Sequence, residues 1–280
     1  MLRNLFRPDR VIFTRNEALA QSECSPGRHS RDSSTKAGQM RALPFGLFAA
    51  AMATVGFTAA TEASPRAVLE LFTSQGCSSC PPADELFTEL ARDPDLITLT
   101  LPVDYWDRLG WKDTLARHAF TERQEAYADA RGDDDLFTPQ AIINGRESAE
   151  GAERSEIERA ADATAAGLKV PLTVALKGDK VVLSVGTSAD KPKSPAVILL
   201  LPYFASRQVA IGRGENARRK VTYTNVVRDI RIVSDWTGAA VTQVIPADEL
   251  KEYDGVVVLL QQGSPQKPGP ILGAARATLR

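Results

Sequence analysis

The chain has 280 residues, 43% hydrophobic and 25% charged, with 34 Lys and Arg against 35 Asp and Glu for a formal net charge of -1. That length allows one or two domains with ordinary globular cores. The charge balance argues against a nucleic-acid partner, and the one local basic run, Arg218-Arg219-Lys220, fits a solvated hairpin face.

Residues 1–39 are polar and arginine-rich, without a repeating apolar face. They fit either a start assigned upstream of a true initiator at Met40 or an extended leader. Met40-Arg41 opens an uncharged stretch, Ala42 to Ala60, followed by Thr61-Glu62-Ala63. A short basic start, an apolar middle and small residues at the end predict a signal peptide over 40–63, and hence a periplasmic or secreted protein. Pro44, Gly46 and Gly56 weaken a permanent anchor, so a membrane enters only through an uncleaved signal segment. Export would put cysteines where disulfides persist.

From Arg66 the pattern predicts a strand over 67–73, a turn over 74–80 and a helix over 82–92. Pro81 and Pro82 fit only the first turn of that helix, where N–H groups have no intrahelical acceptor. Asp84 and Glu85 then suit the positive end of its dipole. The turn holds Gly76-Cys77-Ser78-Ser79-Cys80. A Cys-x-x-Cys pair at the mouth of a helix meets N–H groups and a dipole that favour thiolate over thiol.

Only three cysteines and two histidines occur, and Cys24 and His29 fall in the leader. Zinc needs about four N or S ligands, which Cys77, Cys80 and His118 do not supply. No metal and no cofactor are expected. An inert bridge would stabilise by only about 2 kcal/mol for so small a loop, so redox use and a weak structural staple both stand. In exchange, Cys77 would be the exposed nucleophile and Cys80 the buried resolving thiol. Ser78 and Ser79 bring no cation, which suggests a moderate pKa depression and a reducing-to-intermediate potential.

Asp93-Pro94-Asp95 ends the helix, and residues 96–103 read as a second strand, parallel to the first through a right-handed crossover. Tyr105, Trp106 and Trp111 follow in one loop. Aromatics beyond the carboxyl end of a parallel strand form a binding rim or cap the core, and both readings stand. Residues 113–131 read as helix, with His118 as a surface or core-edge histidine. Gly132-Asp133-Asp134-Asp135 breaks it and lacks calcium-loop spacing. A strand over 136–144 ends at Asn144-Gly145, residues 147–151 return, and Ser155 with Glu158 marks a capping box for a helix to about 166.

The run Glu70-Leu71-Phe72-Thr73-Ser74-Gln75-Gly76-Cys77-Ser78-Ser79-Cys80-Pro81-Pro82, with Val103-Asp104-Tyr105-Trp106-Asp107, Thr138-Pro139-Gln140 and Arg213-Gly214-Glu215-Asn216, resembles an exported bacterial family known as domain of unknown function 1223. The element order resembles the thioredoxin fold with a helical insertion. That resemblance implies a cis Pro139 facing the cysteine pair, with Thr138 beside it offering backbone groups to an incoming chain; Tyr105 and Trp106, read as a rim, would contact the same substrate. It also implies that Glu70, a carboxyl in an apolar strand, serves as a proton acceptor for Cys80. A trans Pro139 and a Glu70 paired with Lys or Arg are the plainer alternatives.

Beyond Leu168 the alternation 172–185, 196–206, 208–212, 220–233 and 255–262 predicts an antiparallel β-sandwich. The expected architecture is therefore α/β: a thioredoxin-like domain (66–167), a β-sandwich domain (168–262) and a loosely held tail (263–280). The expected activity is thiol–disulfide exchange through Cys77 and Cys80 on a protein or small-molecule thiol or disulfide. The alternatives are copper delivery by the same two sulfurs, or a binding module with a structural disulfide.

Overall fold

A computed structural model describes residues 64–133, 135–188 and 194–280. The expected leader (1–39) and signal segment (40–63), with Cys24 and His29, lie outside these residues. Among the described residues, no helix is long and apolar enough to cross a membrane.

The chain runs through β1 (Ala67–Thr73), α1 (Cys80–Leu90), β2 (Leu96–Pro102), a 3-10 turn (Asp107–Leu109), α2 (His118–Arg131), β3 (Gln140–Ile143), β4 (Glu147–Glu150) and α3 (Arg154–Thr164). There follow β5 (Leu172–Lys177), β6 (Lys180–Val185), β7 (Ala196–Ala210), β8 (Lys220–Val227), β9 (Arg231–Trp236), β10 (Val241–Pro246), β11 (Gly255–Ser264) and β12 (Lys267–Thr278). The protein is thus mixed α/β, with few helices and a large sheet.

Strand β1 is buried along its whole length, so both of its faces carry core residues. Ala67, Leu69 and Leu71 meet Ala83, Leu86, Phe87 and Leu90 of α1 and Ile157 and Ala161 of α3. Val68 and Phe72 face the other way, towards Phe120 and Tyr127 of α2 and Leu199, Leu201 and Tyr203 of β7. Each fully buried side chain of this size stabilises by roughly 1.5–3 kcal/mol. Glu70 shares the face of Val68 and Phe72, because side chains alternate along a strand. This parity decides its role below.

β1 pairs parallel to β2 and antiparallel to β3, and β3 pairs with β4. The ladder then continues across the expected boundary at residue 168. Its order is β12-β11-β7-β8-β2-β1-β3-β4, with β9 also pairing β7. The joint between β2 and β8 is short, with one registered pair, Thr100 and Val226. Side chains reinforce it: Thr100 Oγ1 donates to Thr224 O at 2.7 Å, and Asn225 Nδ2 donates to Thr98 O at 3.1 Å. β5, β6 and β10 form a second, three-stranded sheet. Leu172, Val174, Val181 and Leu183 of that sheet pack against Ile198, Leu200, Val256 and Val258 of the large one.

Several expectations are corrected here. Helix α2 starts at His118, not at 113, because Asp113 Oδ1 accepts the N–H groups of Leu115 (2.8 Å) and Ala116 (3.0 Å) and turns the chain. The expected capping box does not form; α3 begins one residue before Ser155, with Glu153 as its cap and no side-chain capping bond. The two strands expected at 196–206 and 208–212 are one 15-residue strand. The tail expected to be loose is instead strand β12, paired to β11 over its length, with Ile271, Ala274 and Ala275 buried. Pro268 and Pro270 lack N–H donors, which is tolerated because β12 is an outer strand.

Candidate functional site

Thr73, the last residue of β1, leads into the turn Ser74–Ser79, and Cys80 is the first residue of α1. Ser74 O accepts the Cys77 N–H at 3.2 Å, and Cys77 O accepts the Cys80 N–H at 3.3 Å. These two bonds wind the turn and bring the sulfurs together as a Cys77–Cys80 disulfide. Pro81 and Pro82 follow at once and lie in the helix's first turn, as expected. Because proline has no N–H, they remove two of the free donors that a helix N-terminus would otherwise present to a thiolate.

The Thr138–Pro139 peptide is cis. The Thr138 carbonyl oxygen stands 3.6 Å from Cys77 Sγ and 3.4 Å from Ser79 Oγ, so this loop faces the disulfide. Gly151 fixes its back: a Cβ there would meet Leu71 Cδ1 at 2.8 Å and Pro139 Cβ at 2.9 Å. The Gly151 N–H also donates to Pro139 O at 2.9 Å.

One expectation fails. Cys77, expected to be the exposed sulfur, has 0% exposure, as does Cys80, while Ser78 and Ser79 between them are exposed. Two loops produce the cover. Trp106 packs on Gly76, where an added Cβ would lie 3.1 Å from the Trp106 Cβ. From the connection between β7 and β8, the Asn216 side chain donates to Cys77 O at 2.6 Å and to Gln75 O at 3.1 Å. Trp111 Nε1 donates to Gln75 Oε1 at 2.8 Å and its ring packs against Gly212. A βαβ pattern read alone does not reveal that a distant hairpin closes over the turn.

Tyr105 and Trp106 are half-buried and pack against the core, so rim and cap are not exclusive. The Tyr105 hydroxyl, Trp106 Nε1, Thr138 Oγ1 and Gln124 Oε1 are buried without a hydrogen-bond partner among the described residues. Burial pushes the Tyr105 phenol up, while Gln124, Thr138 and Trp106 around it pull the other way. These are polar groups free to receive a donor or an acceptor.

Glu70 does not face the cysteines. It is fully buried on the sheet face opposite α1, and Arg123 grips it through Nε–Oε1 at 2.7 Å and a second bond to Oε2 at 3.1 Å. The Tyr127 hydroxyl donates to Oε2 at 2.6 Å, and Gln261 of β11 completes the network by accepting from Arg123 at 3.0 Å. Burial disfavours the Arg123 charge, yet the Glu70 carboxylate more than compensates and holds that guanidinium above its usual pKa. The proton-acceptor role expected for Glu70 is therefore withdrawn in favour of a paired structural carboxylate. His118 is exposed, with Nδ1 3.1 Å from Asp104 Oδ2.

Two acids lie beside the turn, Asp84, which the sequence reads only as a partner of the helix dipole, and Asp113, to which it gives no role. Asp84 is 3% exposed, and Thr73 Oγ1 donates to its Oδ1 at 2.9 Å. Burial pushes its carboxyl well above the usual range, aided by the charges of Asp113 and Glu85. Asp113 is 4% exposed and takes the Gln75 N–H at 2.8 Å; burial raises it too, against three backbone donors. The signal for Asp84 was available: it stands four residues after Cys80 among apolar helix positions. Asn216 stands within the Arg213-Gly214-Glu215-Asn216 run, which reads either as turn chemistry or as part of a polar surface facing the cysteine turn. Among the described residues, no group of three His, Cys, Asp or Glu is placed to hold a metal ion.

The model of the family described as "Protein of unknown function (DUF1223)" matches residues 68–261. Protein AGR_C_4864 from Agrobacterium tumefaciens, a solved structure, is 34% identical over 78% of this chain and 96% of its own, with a TM-score of 0.70. HBP35 of Porphyromonas gingivalis shares the fold alone, at 11% identity and a TM-score of 0.52, covering 77% of this chain and 75% of that one. No curated protein matches. On the family match and the 34% identity together, this chain belongs to the DUF1223 family of proteins of unknown function.

Proposed function

We propose that this is an exported, thioredoxin-like protein that performs thiol–disulfide exchange through Cys77 and Cys80 on a thiol or disulfide of another molecule. The observation that carries this reading is the meeting of the Thr138 carbonyl, beside the cis Pro139, with Cys77 Sγ at 3.6 Å. A partner thiolate attacks Cys77 Sγ, the Cys77–Cys80 bond breaks, and Cys80 takes the electron pair. The partner's second thiol then displaces Cys77, so that the partner is oxidised and the protein reduced; the reverse sequence oxidises the protein. Access requires the cover of Trp106 and Asn216 to move aside. The missing N–H groups at Pro81 and Pro82 leave the Cys77 thiolate weakly stabilised, which favours the reducing direction.

Replacing Cys80 with alanine tests this. The variant should accumulate a mixed disulfide on Cys77 when exposed to extracts of the compartment in which the protein resides. If none accumulates on folded protein, the exchange reading is lost.

A second reading is favoured by the complete burial of both cysteines: a binding module whose bridge only shapes the turn. A folded protein whose bridge resists strong dithiols would support it. For copper delivery by the same sulfurs, no third His, Cys, Asp or Glu among the described residues is placed to join them as a ligand.

A further inference from the structure

The hairpin tip that closes over the cysteine turn carries charge mostly of one sign. Between β7 and β8, Asn216 is buried on the carbonyls of Cys77 and Gln75, while Arg213, Arg218, Arg219 and Lys220 around it are exposed. Glu215 is the one acid in the same stretch. No more than three residues, about 11 Å of extended chain, separate Arg213, Arg218 and Arg219 from Asn216. None of the four cations forms an ion pair among the described residues. The loop that packs on this tip adds Lys112, exposed and next to the Trp111 that meets Gly212. The acids of that loop are engaged. Asp113 is buried and holds three main-chain N–H groups, and Asp107 Oδ1 accepts the Asp113 N–H at 2.9 Å.

The backbone at Arg218 points the same way. Its φ is 70°, in the left-handed region that bulky side chains avoid, and its N–H closes the tip onto Ile211 O at 2.8 Å. Glycine takes this conformation freely, and the same tip has glycine at its other left-handed position, Gly214, with a φ of 79°. Arg218 is thus held in a strained conformation without an ion-pair partner among the described residues. Such strain persists where the side chain serves something beyond the fold.

We propose that this tip selects the exchange partner: a thiol or disulfide that bears negative charge beside its reacting sulfur. The inference rests on the exchange reading and narrows its substrate. Positive potential over the turn raises the local concentration of an anionic partner, and the arginines hold it there while the cover opens. The partner's thiolate attacks Cys77 Sγ, the Cys77–Cys80 bond breaks and Cys80 takes the electron pair. A second thiolate displaces Cys77 from the mixed disulfide. The partner leaves oxidised, and two protons from solvent complete the dithiol.

Three small monothiols test this: mercaptoethanesulfonate, mercaptoethanol and cysteamine. Each reduces the intact protein, and its rate is divided by its rate on hydroxyethyl disulfide, which removes differences in thiolate fraction and nucleophilicity. Opening of the cover serves all three alike and cancels in their ratios. The sulfonate should lead mercaptoethanol by on the order of 10-fold at ~0.01 M ionic strength, with cysteamine slowest. At ~1 M, where the screening length is about 3 Å, that lead should vanish. Arg218→Gly should shrink the lead and raise the urea midpoint, because it removes a charge and relieves the strained φ. Arg213→Gln, Arg218→Gly and Arg219→Gln together should abolish the lead. Cysteine peptides flanked by Glu or by Lys extend the comparison. A lead of the acidic peptide above that of the sulfonate assigns the partner to acidic protein segments, and one no larger assigns it to small anionic thiols. Equal ratios for the three thiols at low salt, a cationic preference, or a lead that survives in the triple variant overturns the proposal while leaving exchange intact. A folded protein that none of the thiols reduces overturns the exchange reading and the selection with it.

Discussion

Asn216 donates its side-chain N–H to the main-chain carbonyl of Cys77 at 2.6 Å, across a sequence separation of 139 residues. The same amide nitrogen reaches Gln75 O at 3.1 Å. One buried side chain thus closes the cysteine turn from the connection between β7 and β8, with β8 two strands away from β1 in the sheet.

Removing that latch with Asn216→Ala would leave two buried carbonyls without their donor. The expected loss of stability is about 1–3 kcal/mol, read from the urea midpoint at unchanged slope. Reduction of the disulfide by dithiothreitol should become faster than in the wild type. An unchanged reduction rate would show that the hairpin does not control access.

The Glu70–Arg123 pair separates structure from chemistry. Arg123→Ala leaves a buried carboxylate uncompensated and should destabilise by about 3–5 kcal/mol. Glu70→Gln should also weaken the fold, yet leave the pH profile of disulfide reduction as in the wild type. A profile altered by Glu70→Gln would return that residue to the chemistry.

Asp84 gives stability a definite slope with pH. Its folded carboxyl is raised above the ordinary 3.8 by burial, so between 3.8 and the raised value the folded state holds a proton that the unfolded state has released. Stability therefore falls as pH rises through that window, by about 1.4 kcal/mol per pH unit for this one group. Asp84→Asn should flatten that part of the curve, measured by denaturant unfolding at a series of pH values. A wild-type slope retained in the variant would assign it elsewhere, with Asp113 the next candidate.

Gly151 sits where backbone must pass close to Pro139. In Gly151→Ala the new methyl would meet Leu71 and Pro139 inside 3.0 Å, with β1 and the Thr138 loop both packed behind them. The expected cost is about 1–3 kcal/mol, seen as a lowered thermal midpoint. Displacement of the Thr138 carbonyl from Cys77 should accompany it in the variant's structure.

The local chemistry of the turn was legible. A β-prone run, two consecutive prolines and helical apolar spacing fixed β1, the cysteine turn and α1 within a residue or two. Asn144-Gly145 likewise announced its hairpin. What escaped was long-range. Glu70 was noticed as a carboxyl in an apolar strand, but strand parity faced it away from α1, and its partner Arg123 lies 53 residues on. The cover over Cys77 comes from Trp106 and Asn216, whose residue types carry no mark of their destination. β12 was misread because prolines signal irregular chain unless the strand is known to be an outer one, and order within a sheet is not written in local pattern.

The single registered contact between β2 and β8 has a practical consequence. A fragment spanning 66–167 would end before β8 and expose the flank of β2, a strand of Leu96-Ile97-Thr98-Leu99 with no gatekeeping charge. Such an edge invites another chain to pair with it. Expressed alone, that half should self-associate, and its sedimentation profile beside that of the intact protein would reveal this.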